Sequence, residues 1–63
     1  MIAPGQVWTP SLWGAVGKPR EVVSVADGFV EFRVGDARVH RLNVADFAAW
    51  AAYWGAVQSG ETQ

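Results

Sequence analysis

The side chains able to do chemistry are few, and their spacing limits what each can do. His40 is the single histidine and cysteine is absent, so no His/Cys set converges on a metal, and the Asp and Glu residues do not fall at metal-ligand spacings. Ser11, Ser24 and Ser59 belong to a loop, a strand and a tail, and none sits on the sharp strand-to-helix turn that presents a serine nucleophile. No pair of carboxylates has the setting of a general acid and its base. Gly14-Ala15-Val16-Gly17-Lys18-Pro19 lacks the spacing and the Ser or Thr of a phosphate loop. These patterns predict a non-enzymatic chain without metal, cofactor or small-molecule substrate, one that works by binding.

Two groups of residues offer a binding surface. Lys18, Arg20, Arg33, Arg38 and Arg41 form a basic strip if they share a sheet face, with Phe29 or Trp13 available to stack on a base. Glu21, Glu31 and Asp36 interrupt that strip, and the net charge is −1, so the overall field attracts phosphate backbones weakly. Nucleic-acid binding through Arg33, Arg38 and Arg41 is therefore the alternative reading.

The second group is apolar. From Val44 to Val57 the only charged side chain is Asp46. On a helical wheel Phe47, Ala51 and Trp54 share one face with Val44 and Trp50 at its edges, while Ala45, Ala49, Ala52, Ala56 and Tyr53 lie opposite. A chain this short has no second layer to bury the outer face, which points to a protein partner or a second copy. Alanine also promotes helix while exposing little apolar area, so a plain helix surface has the same pattern. Trp13, Ala49, Trp50, Tyr53 and Ala56 are the candidate partner contacts, because Tyr and Trp dominate binding hot spots. Trp13 reads equally well as a lid on the core.

The 63 residues that must position these side chains fit one domain, expected over 1–57, followed by a flexible polar tail at 58–63. Without disulfide or metal, the four Trp, three Phe and one Tyr must supply the core, an interface or both. The opening Met1 to Gly5 shows no secretory pattern and no run approaches ~20 apolar residues, so a cytoplasmic protein is expected. Gly5 to Thr9, between two prolines, suits a short strand with Val7 and Trp8 on opposite faces, and Ser11 to Arg20 reads as a long loop.

Asp27-Gly28 between β-rich runs predicts a two-residue type I′ hairpin. Its register sets Val25 against Val30, Val23 against Phe32 and Glu21 against Val34 on the core face, with Ser24 against Glu31 and Val22 against Arg33 on the other. After Gly35-Asp36-Ala37, a three-residue turn pairs Leu42 with Val30 and Arg41 with Glu31. This is preferred to a two-residue turn that sets Arg41 against Val30. Asn43 caps a helix from Val44 to about Trp54, with Asp46 as an acidic analogue of the capping box and Gly55 as the left-handed stop. The expected class is mainly β (α+β), a small bent antiparallel sheet or SH3-like barrel of four to five strands with a C-terminal helix.

Pro4-Gly5-Gln6-Val7-Trp8, the hairpin from Val22 to Arg33, and Leu42 through Phe47 to Trp50 together resemble small proteins of phages and prophages. In that group a Gly-x-x-Trp/Tyr strand, a Val-rich hairpin and a short terminal helix resemble a compact SH3-like barrel. The resemblance covers residues 4 to about 50, and the longer Ala/Trp helix departs from it. It implies an accessory protein acting in the host cytoplasm that binds and inhibits a host protein, including a defence complex such as a CRISPR effector.

Overall fold

The structure, a computed structural model, describes residues 2–11, 18–35 and 38–59. Trp13, with most of the first loop, and Asp36 and Ala37 lie outside the described residues. In chain order the elements are β1 (Val7–Thr9), β2 (Arg20–Ala26), β3 (Phe29–Val34), β4 (Val39–Asn43), the helix α1 (Val44–Trp54) and β5 (Val57–Ser59). The five strands form one antiparallel sheet in the order β4-β3-β2-β1-β5. The molecule is thus mainly β with a single helix among the described residues, and within them no ladder joins the outer strands β4 and β5.

The β2–β3 hairpin turns on Asp27 at φ 56° and Gly28 at φ 79°, the paired left-handed conformations of a type I′ turn. Val25 faces Val30 and Ser24 faces Glu31, as the turn requires. Beyond Ser24 the expected register fails, because a β-bulge between Val22 and Ser24 sets Val22 opposite Phe32, Glu21 opposite Arg33 and Arg20 opposite Val34. The physical reason is burial. An unbroken register would turn Glu21 and Val23 inward and expose Val22, whereas the bulge buries Val22, leaves Val23 partly exposed and returns Glu21 to the outer face. The backbone of Val22 is then held by the N-terminal segment, its N–H donating to the Gln6 carbonyl at 2.8 Å and its carbonyl accepting from Gly5 N–H at 3.0 Å.

In β4 the register follows the three-residue turn, with Leu42 opposite Val30 and Arg41 opposite Glu31. α1 begins where Asn43 caps it: Oδ1 accepts the Asp46 N–H at 2.7 Å and Nδ2 donates to Asp46 Oδ2 at 3.1 Å. It ends at Gly55, φ 58°, where the N–H groups of Gly55 and Ala56 return to the carbonyls of Ala52 and Ala51. Gln58 and Ser59 do not belong to a frayed tail. They pair with Trp8 and Val7 as part of β5, and only residues 60–63 of the expected tail fall outside the described residues. The open edge of β1 accounts for this, since its backbone groups need partners on the side away from β2.

The core lies between α1 and one face of the sheet. Phe47 is fully buried, with its ring 5.4 Å from Phe32, 5.4 Å from Trp50 and 6.4 Å from Trp8. Val22, Val30 and Phe32 complete the buried set, and Ile2, Trp8, Val25, Val34, Leu42, Val44 and Trp50 pack around it. Trp8 is oriented by buried Gln6, whose Oε1 accepts both the indole N–H at 3.1 Å and the Ala3 N–H at 2.9 Å. No helix among the described residues is long and apolar enough to cross a membrane.

Candidate functional site

α1 separates its side chains as the wheel predicts. Phe47 points into the core, Val44, Trp50, Ala51 and Trp54 are half-buried, and Ala45, Ala48, Ala49 and Ala52 are exposed. Tyr53 is 62% exposed, with its ring set edge-on to Trp54 at 5.1 Å, so a large, mostly exposed aromatic borders the alanine face. Ala49 and Tyr53 are therefore together on one outward surface. Trp50 and Ala56 are not fully part of it. Trp50 leans over the core, and half-buried Ala56 lies past the left-handed stop and carries the backbone back toward the sheet. Val57, at the start of β5, is a further large apolar side chain left 60% exposed. Sequence reasoning assigned no role to Val57, because the three residues Val57-Gln58-Ser59 are too short to show a strand alternation.

The basic residues separate onto two faces. The bulge turns Arg20 inward, where its guanidinium lies 3.9 Å from the Trp50 ring centroid, 4.7 Å from that of Phe32 and 5.8 Å from that of Phe47. Arg20 Nη1 is buried without a hydrogen-bond partner, and burial pushes the pKa of the group down from its ordinary value. Arg33 and Arg41 remain on the outer face, each with an acidic residue across the strand pair, Glu21 and Glu31 respectively. Lys18 and Arg38 are exposed in the connections before β2 and β4. No continuous basic strip results. His40 stacks on Phe32 at 5.6 Å, and no group of three or more metal-capable side chains occurs among the described residues.

The outer face of β2, β3 and β4 holds a further feature. Ser24, Ala26, Asp27, Phe29, Glu31 and Arg41 line an open hollow of about 220 Å³. The Ser24 hydroxyl donates to Glu31 Oε1 at 2.9 Å, and the Arg41 guanidinium lies over the Phe29 ring, 4.2 Å from its centroid. The register made these residues neighbours in the sequence. Asp27, in the hairpin turn, joins these strand residues in the lining. Comparison with family models, curated proteins and solved structures finds no match for this chain in any of the three.

Proposed function

We propose that this chain is a small non-catalytic protein-binding module with an SH3-like barrel architecture, acting as a phage-type inhibitor or regulator of a host protein or defence complex. The barrel reading draws on a four-strand meander whose fifth strand returns beside the first, an order that closes once β4 curls toward β5. The observation that carries the binding reading is the outer face of α1. Ala45, Ala49 and Ala52 let another backbone approach closely, and Tyr53 offers a rigid aromatic anchor at 62% exposure, with Asp46, two turns before it and tied to the Asn43 cap, as the one charged side chain of the helix.

Ala49→Glu tests it, because a carboxylate trapped in a closed seam would be desolvated and unpaired at a cost of several kcal/mol. Size exclusion with light scattering reads self-association, and capture from host extract reads a foreign target. One of the two is lost in Ala49→Glu while its circular dichroism matches wild type, since position 49 points away from Phe47. A wild type that is monomeric and captures nothing the variant loses ends the reading.

The alternative, a nucleic-acid-binding domain using Arg33, Arg38 and Arg41, has one supporting observation in the Arg41–Phe29 stack, a pairing that also suits an unstacked base. Glu21 and Glu31 across the strands oppose it. Sub-micromolar oligonucleotide binding at physiological salt, weakened by Arg33→Ala, would install it instead.

A further inference from the structure

The hollow on the outer sheet face is built differently from the helix surface, and its chemistry is specific. Two carboxylates, Asp27 and Glu31, and one guanidinium, Arg41, line it, so its formal charge is −1. The Arg41 guanidinium lies over the Phe29 ring. Glu31 is steadied by the Ser24 hydroxyl at one oxygen, which fixes the carboxylate and leaves the other oxygen for a ligand. Among the described residues neither Asp27 nor Glu31 is held in an ion pair. Ala26 and the flank of Phe29 add apolar wall beside the two acids.

A site with a positioned carboxylate, a second carboxylate on the rim and apolar wall between them matches a flexible aliphatic stem that ends in a cation. We infer that the hollow receives a basic side chain, lysine or arginine, presented by a protein partner. The stem lies along Ala26 and the Phe29 edge, and the cationic head bridges Glu31 and Asp27. A carboxylate or phosphate is disfavoured because both acids repel it and the one opposing cation is already stacked. The hollow lies on the sheet face away from α1, so the inference stands whether or not the helix surface binds anything.

The test is an NMR titration of the isotope-labelled full chain with Nα-acetyl-lysine methylamide, repeated with the arginine analogue and with Nα-acetyl-glutamate at matched ionic strength. The basic analogues should shift the amides of Ser24, Asp27, Phe29 and Glu31 with saturation in the millimolar range, and the acidic one should not. Glu31→Gln and Asp27→Asn should each weaken binding about two- to fivefold, the worth of an exposed ion pair. Asn tolerates the left-handed conformation at position 27, so the turn is preserved. Glu21→Gln, which removes an outer-face carboxylate that does not line the hollow, should change nothing. Overturning results are equal shifts from the acidic analogue, no shifts from either basic one, or the same weakening in Glu21→Gln as in Glu31→Gln.

Discussion

Arg20 and Arg41 both lay a guanidinium on an aromatic ring, 3.9 Å from the centroid of Trp50 and 4.2 Å from that of Phe29, yet they occupy opposite faces of the same sheet. Under α1, Arg20 has a buried Nη1 with no acceptor and a pKa lowered by desolvation. Arg41 is exposed, and water reaches its donors. Attraction to a ring contributes about 0.5 to 1 kcal/mol at the surface and about 2 kcal/mol when desolvated. A buried donor left unsatisfied costs about 1 to 3 kcal/mol. The inner stack therefore comes close to break-even, while the outer one keeps its gain and holds Arg41 in place beside the hollow. The two faces differ through one residue, Val23, whose bulge reverses the direction of everything before it in β2.

The widest separation between the faces should come from Phe47→Ala. Phe47 touches Trp8, Phe32 and Trp50 and has no exposed surface, so truncation removes about 3 to 5 kcal/mol of packing. A domain of this length has only about 3 to 9 kcal/mol in total. The variant should lose its cooperative urea transition, followed by tryptophan fluorescence, whereas outer-face variants retain theirs. A loss below about 1 kcal/mol, within the range of an ordinary surface change, would show that the inner face is not the core.

Arg20 gives the next effect. Replacing it by Met keeps the stem, removes the desolvated cation and its orphaned donor, and gives up the ring attraction, so stability should stay within about 1 kcal/mol of wild type. Arg20→Glu places a carboxylate against the negative ring faces of Phe32 and Trp50 and should lose about 2 kcal/mol or more. If Arg20→Met falls as far as Arg20→Glu in urea unfolding, the inner guanidinium is a structural keystone and the break-even estimate is wrong.

Much of this architecture was legible because the signals were local. Asp27-Gly28 dictated its turn, Asn43 and Gly55 bracketed the helix, and the need to turn Leu42 rather than Arg41 toward Val30 selected the β4 register. The bulge was not legible, since Val22 and Val23 are the same residue type and only the packing beneath α1 decides which one is buried. The fate of Arg20 followed from that, so a basic strip drawn on the sequence included a residue that belongs to the core. β5 was hidden for a different reason. Val57-Gln58-Ser59 has little strand propensity, and its pairing is imposed by the free edge of β1, far away in the chain. On the candidate site, the helix periodicity separated Ala49 and Tyr53 from Phe47 correctly, but placed Ala56 on a helix that had already ended.

The smallest effect sharpens the comparison most. Arg41→Gln removes an exposed cation whose partner is a ring, so unfolding free energy should move by no more than about 0.5 kcal/mol. Its consequence for recognition has a definite sign. In a hollow that accepts a basic side chain, Arg41 is a like charge near the incoming head, and its loss should tighten Nα-acetyl-lysine methylamide by about two- to fivefold. The effect should shrink as salt is raised, because the charges are solvent-exposed. If the hollow instead takes an anion or an unstacked base, Arg41 is the group that holds it and the same substitution weakens binding. Tightening of a basic probe with stability unchanged would mark the outer stack as a device for recognition, while the inner one remains a matter of packing.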